Sequence, residues 1–207
     1  MPFQTFFNLP QDKQESIVSA AIDEFYDYGY QKASIARIVE ATGIARGSFY
    51  QYFENKQDIY RYLILDVIGG RKHEYTRRFF KQQQTFADLL RELLAGGVAF
   101  FRDYPKMAAI ANDYMQLRDK GLKQQIAGDS YEQGKRFFLE RITAGKECGD
   151  IDERIDPEAL YYLIYSVGLS ISQDISEQDI ASYTDEQLAE YVNRYVFILQ
   201  NGMKGRA

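Results

Sequence analysis

The chain has 207 residues, 45% of them hydrophobic, which suffices for a packed core and excludes compositional disorder. One cysteine (Cys148) and one histidine (His73) exclude an internal disulfide and any metal site or catalytic triad built from paired Cys or His ligands. A formal net charge of −5 gives no overall basic footprint, so any nucleic-acid surface must be small and local. The opening Met1-Pro2-Phe3-Gln4-Thr5 lacks the basic and apolar parts of a secretory signal. The longest apolar run, Leu93 to Phe101, is less than half of the roughly 20 residues a membrane span needs. A soluble, cytoplasmic protein without metal or cofactor is expected.

In chain order, Ile17, Val18, Ala21, Ile22 and Phe25 recur at three- and four-residue spacing and predict a helix from about Gln11 that stops at Gly29. Ser34 is a good N-cap for a short helix carrying Ile35, Ile38 and Val39, ended by Thr42-Gly43. A third short helix runs from Ala45 to about Tyr52 with Phe49 and Phe53 turned inward. Asn55 caps a long helix whose buried face is Ile59, Leu63 and Val67; beyond Gly69-Gly70 it turns basic (Arg71, Lys72, Arg77, Arg78, Lys81), which reads as a solvated face. Thr85 to Asp88 resembles a capping box for a helix to Tyr104, broken by Pro105. Lys106 to Gly149 reads as two helices interrupted by glycines. Asp156-Pro157-Glu158 starts a helix to about Ile175, and Thr184 to Gln187 starts a last one to about Met203. The fold class is all-α with about nine helices: residues 1–55 as a small three-helix head, residues 56–207 as a larger helical body.

Two short helices joined by a tight glycine turn make a helix-turn-helix near residues 34–53. Gly43 permits the sharp turn, and Ile38, Ile44 and Phe49 can seal the angle between the helices. The outward positions of the second helix must be short, polar or cationic to lie against phosphates and base edges, and Arg46, Gly47, Ser48, Tyr50, Gln51 and Tyr52 meet that requirement. Lys56 adds a charge at the start of the next helix, where backbone amides can bind a phosphate. Between Lys32 and Lys56 the balance is four basic residues (Lys32, Arg37, Arg46, Lys56) against two acidic ones (Glu40, Glu54).

The run Ile38-Val39-Glu40-Ala41-Thr42-Gly43-Ile44-Ala45-Arg46-Gly47-Ser48-Phe49-Tyr50-Gln51-Tyr52-Phe53-Glu54-Asn55-Lys56 resembles the signature of the TetR family of repressors. With Ala20-Ala21, Phe25 and Gly29-Tyr30 before it, the resemblance covers roughly residues 11–65. It implies a DNA-binding head, a dimerising body, and a small molecule that on binding the body releases the DNA. It places DNA contacts on Ser34, Arg37, Arg46, Gly47, Ser48, Tyr50, Gln51, Tyr52 and Lys56.

The surplus of Tyr and Phe in the body offers apolar faces with hydroxyl handles, and Phe100, Phe101, Tyr104, Tyr114, Phe137, Phe138, Tyr161 and Tyr165 are the candidate effector contacts. The net charge over residues 83–207 is −6 (14 Lys/Arg minus 20 Asp/Glu), which favours an apolar or amphiphilic effector over a polyanion. The last two long helices are apolar over wide arcs, so each needs cover on two sides. Leu160, Ile164, Val167, Ile171, Leu188, Val192, Tyr195, Val196 and Leu199 are the expected homodimer face, and a twofold dimer calls for a palindromic double-stranded operator. Two other classes compete. An enzyme would need a constellation that is missing: no phosphate loop, metal-ligand cluster or nucleophile elbow occurs. A helical binding protein without DNA affinity is disfavoured by Arg46, Ser48, Tyr50 and Lys56.

Overall fold

The computed structural model describes residues 1–79, 85–177 and 182–203, and among them every regular element is helical. The helices are α1 (Gln4–Phe7), α2 (Gln11–Lys32), α3 (Ile35–Thr42), α4 (Arg46–Tyr52) and α5 (Lys56–Tyr62), then a π-helical stretch (Leu63–Ile68). They continue as α6 (Gly69–Phe79), α7 (Phe86–Asp103), α8 (Pro105–Gln116), α9 (Lys120–Ala127), α10 (Ser130–Glu147), α11 (Pro157–Glu177) and α12 (Asp185–Met203). Lys81, the last residue of the basic stretch, lies outside the described residues.

The helices exceed the expected nine for identifiable reasons. A short helix precedes α2, where aromatic Phe6 is fully buried. The segment after Pro105 forms three helices instead of two: Asp119 caps α9 by accepting from the Leu122 amide at 3.0 Å, and Gly128 at φ 54° ends it. The long helix after Asn55 is interrupted by the π turn, directly after which Gly69 sits. A β-carbon on Gly69 would approach the Ile64 carbonyl to 3.1 Å, so this glycine permits a close backbone approach.

The other start signals act as the residue types dictate. Asn55 accepts from the Asp58 amide at 3.0 Å, Thr85 from the Asp88 amide at 3.1 Å and Asp156 from the Ala159 amide at 2.8 Å. Thr184 and Gln187 form a reciprocal capping box, at 2.8 and 3.3 Å. Each satisfies orphan amides of a first turn.

The chain divides into two compact units, neither continuous in sequence. The first comprises Met1–Arg71 with Lys106–Gly128. Its interior is aromatic: Phe25 and Tyr60 rings lie 4.7 Å apart, Tyr30 and Tyr60 4.8 Å, Phe6 and Phe53 4.9 Å. Ile17, Ile38, Ile59, Leu63, Ile110 and Ile126 are buried with them. Burial pushes the Tyr60 phenol well up from its ordinary range, with the Asp113 carboxylate adding to the shift. Lys106 of α8 pairs with Asp23 of α2 at 2.6 Å. α5 and the π stretch carry Ile59, Tyr60 and Leu63 into the core of this unit.

The second unit comprises Lys72–Pro105 with the chain from Asp129 onward. Its core joins Leu90 and Val98 of α7, Ile142 of α10, Leu160 and Ile171 of α11, and Val192 and Val196 of α12. The turn after α10 closes on itself, with the Ile151 amide donating to the Gly145 carbonyl at 3.0 Å. A β-carbon on Gly145 would come within 2.8 Å of Ile151 Cδ1, so only glycine fits there without a shift.

Candidate nucleic-acid interface

The helix-turn-helix is built by three local devices. Ser34, extended at φ −129°, caps α3 by accepting from the Ala36 amide at 3.2 Å. Thr42 bonds its hydroxyl back to the carbonyls of Ile38 and Val39, at 2.9 and 3.2 Å. Gly43 then takes the left-handed conformation, φ 68° and ψ 11°, and its amide closes onto the Glu40 carbonyl at 3.3 Å. Ile38, Phe49 and Phe53 are fully buried and seal the corner, while Ile44 is half-buried.

What faces out of α4 is a compact polar set. Arg46, Gly47, Tyr50 and Gln51 are exposed and Ser48 is half-buried. Gly47 has open space above its α-carbon, so the backbone there can approach a partner closely. The Tyr50 ring stands edge-on to Phe49, at 5.5 Å, which holds it outward from a buried base. Tyr52 is half-buried, with its ring 6.4 Å from Phe6.

Two of the expected DNA contacts already have internal partners. Arg37 donates Nε to both oxygens of Glu24 at 2.9 Å and Nη2 to Oε1 at 2.6 Å, a bidentate pair with a carboxylate that is only 6% exposed. Hydrogen bonding to Glu24 raises the Arg37 pKa further. Lys56 Nζ donates to three carbonyls, Tyr30 at 2.7 Å and Gln31 and Ala33 at 3.1 Å each. Burial lowers the Lys56 pKa, and the nearby Glu24 charge opposes that.

Sequence reasoning missed the segment that holds the far end of α4. The Phe3 amide donates to the Tyr52 carbonyl at 2.8 Å, and the Thr5 hydroxyl donates to the Gln51 carbonyl. Phe6 wedges its ring among Phe7, Tyr52, Phe53 and Tyr62. The Phe-x-x-Phe-Phe spacing before Pro10 was the available signal.

The candidate effector residues separate. Tyr114 is buried in the first unit, and the others belong to the second. Within the second, Phe138, Tyr161 and Tyr165 come together, with Tyr161 6.0 Å from Phe138 and 6.2 Å from Tyr165. Phe137 packs edge-on to Phe138 at 5.9 Å, and Phe100 lies 5.6 Å from Tyr104. Phe101 is half-buried against the core. Burial pushes the Tyr161 phenol up, and the neighbouring Tyr131 hydroxyl adds to the shift.

The residues expected at a dimer face are largely used inside their own subunit. Leu160, Ile164, Ile171, Leu188, Val192, Val196 and Leu199 are all buried in its core, with Val167 and Tyr195 half-buried. These residues form the inward side of the wide apolar arcs of α11 and α12. The outward face carries Leu163 at 52% exposure, Phe197 at 67% and Ile198 at 69%. An open apolar groove of about 460 Å³ runs along α11 and α12, lined by Leu160, Leu163, Val167, Tyr195, Ile198 and Leu199 among others. Among the described residues no acidic, His or Cys group is arranged to hold a metal, and no helix is long and apolar enough to cross a membrane.

Residues 17–63 match a family described as bacterial regulatory proteins, tetR family. The chain is similar to the fatty acid metabolism regulator protein of Bacillus subtilis, 24% identical over 154 residues that make up 74% of this chain and 78% of that one. It is 30% identical over 150 residues to YvdT, an uncharacterized HTH-type transcriptional regulator of the same organism, covering 65% of this chain and 75% of that one. A TetR family transcriptional regulator from Chloroflexus aurantiacus has a similar structure, with a TM-score of 0.77 and 27% identity over 100% of both chains.

Proposed function

This chain belongs to the TetR family and is a DNA-binding transcriptional regulator, not an enzyme, and we propose that it represses its target as a homodimer that a small apolar or amphiphilic effector releases from a palindromic operator. One observation carries the DNA-binding role: α4 buries Phe49, with Phe53 buried just after its end, and turns Arg46, Gly47, Ser48, Tyr50 and Gln51 outward. Packing alone does not call for a cation, a glycine and hydroxyls together on the face opposite two buried rings. Arg46, in the first turn, suits base reading, because an arginine donates two bonds to guanine O6 and N7. Tyr50 suits the phosphate backbone, which sets register without reading sequence. We assign DNA reading to residues 1–55 and effector binding and dimerisation to the rest of the chain.

The effector class rests on chemistry and on one relative. The Phe138–Tyr161–Tyr165 cluster offers apolar ring faces with phenolic hydroxyls, which suits a long apolar chain ending in a carbonyl. The relative named for fatty acid metabolism points to the same chemistry. The test selects duplexes from a random library with the purified protein, then adds a long-chain fatty acid or its coenzyme A thioester. Selection of one palindromic sequence and its release by either compound supports the reading. Failure to enrich any sequence refutes the DNA-binding role, and release by neither compound refutes the effector class.

A further inference from the structure

The helix-turn-helix is an excursion that leaves the end of α2 near Ala33 and returns at the start of α5. Its two ends meet at one ammonium. Lys56, the first residue of α5, reaches back across 26 positions to the Tyr30 carbonyl, and to those of Gln31 and Ala33. An ammonium has three protons, so three carbonyls at 2.7–3.1 Å account for all of them. The regular part of α2 ends at Gly29, at φ 63° and ψ 168° as its position predicts, and these carbonyls belong to the short turn beyond it, where helical acceptors are left without partners. The Tyr30 ring lies 4.9 Å from the same nitrogen and shields it from water.

The entrance is fixed a second time. Buried Glu24 accepts from the Ser34 amide at 2.6 Å while it binds the Arg37 guanidinium. Arg37 also donates to the Lys32 carbonyl at 2.8 Å, and its guanidinium carbon lies 4.0 Å from the Tyr28 ring centre.

We infer that Lys56, together with the Glu24–Arg37 pair, positions the recognition helix by tying the entrance and exit of the helix-turn-helix to each other, and that the Lys56 charge is held by the protein instead of being given to a DNA phosphate. The inference rests on the DNA-binding reading for its consequence, though its geometry does not. To reach a phosphate, Lys56 must abandon three carbonyls and leave them without donors. With Lys56 in place, the segment that carries α4 is closed at its entrance and its exit, which limits how far Arg46 can tilt against the groove.

The two roles separate in the salt dependence of binding. A lysine that neutralises one phosphate adds about 0.9 to the slope of log affinity against log salt, and a positioning lysine adds nothing. The probes are the duplex enriched by the wild type and a scrambled duplex of the same composition. Lys56→Ala is expected to weaken the enriched duplex roughly tenfold, within the range of one mismatched base pair, with the scrambled duplex little affected and both slopes unchanged. Lys56→Arg keeps the charge, yet its planar fork does not match three carbonyls converging on a point, so discrimination stays impaired. A slope lower by about one per head in Lys56→Ala, or full binding by Lys56→Arg, overturns the inference. Acetylation of lysines in the wild type decides the matter even if the variants fail to fold. Lys56 should react far more slowly than exposed Lys13 and Lys32 without DNA, and the enriched duplex should add no further protection. Free reactivity that DNA then suppresses overturns the inference. If no duplex is enriched, the DNA-binding reading fails, while slow acetylation of Lys56 still upholds the internal tie.

Discussion

At Gly43 the backbone sits at φ 68° and ψ 11°, where the β-carbon of any L-residue crowds the neighbouring carbonyl. Space is not the constraint, since a β-carbon there meets nothing within 4 Å. Gly43→Ala should therefore lower head stability by about 1 kcal/mol through backbone strain alone, and Gly43→Asn by less, because asparagine tolerates this region. Urea denaturation of the two variants checks both the size and the order. Arg46 differs in that it is exposed on the outward face, so its loss should leave stability unchanged. Arg46→Ala should cost about 1–3 kcal/mol on the enriched duplex and much less on a scrambled one. Equal losses on both duplexes would move Arg46 from base reading to phosphate contact.

The elements announced by caps were legible, because an N-cap is a local event. Ser34, Asn55, Thr85, Asp156 and Thr184 each satisfy amides two or three residues on, and the sequence shows both partners side by side. The outward polar face of α4 was legible for the same reason, since buried Phe49 and Phe53 fix which side turns away. Partnerships between distant residues were not legible. Nothing near Arg37 or Lys56 announces Glu24 or the carbonyls of Tyr30 to Ala33, so both charges read as outward. The π stretch was hidden too, because its apolar residues also fit an α-helical face. So was α1, too short for periodicity to mark. Yet α1 holds the carboxyl end of the recognition helix, and its Phe6 has no solvent exposure. Phe6→Ala should cost about 3–5 kcal/mol and reduce DNA binding by loosening α4. Thermal unfolding of the variant, followed by its affinity for the enriched duplex, checks this; an unchanged melting temperature would refute it.

For the whole molecule, the two faces that matter lie in different units: the reading face in the first, the exposed apolar face in the second. Leu163, Phe197 and Ile198 are more than half exposed beside an open groove of about 460 Å³ whose described walls are almost wholly apolar. A contiguous apolar surface of this kind is seldom left to water, and in the proposed homodimer a twofold axis would cover it with the same surface from a second copy. Pairing α11 and α12 with their mates gives a four-helix interface, the arrangement expected from the wide apolar arcs of both helices, with Leu163 and Ile198 at its centre in place of the inward stripe. The exposed positions make a clean test, because replacing them removes nothing from the core. Leu163→Glu combined with Ile198→Glu should leave subunit stability nearly unchanged and convert the dimer to a monomer in light scattering at micromolar concentration. The monomer should then bind one half of a palindrome with the weak affinity of a single head, whereas two joined heads engage successive major grooves about 34 Å apart and bind as one. A double variant that remains dimeric, or that keeps wild-type affinity as a monomer, would place the interface elsewhere.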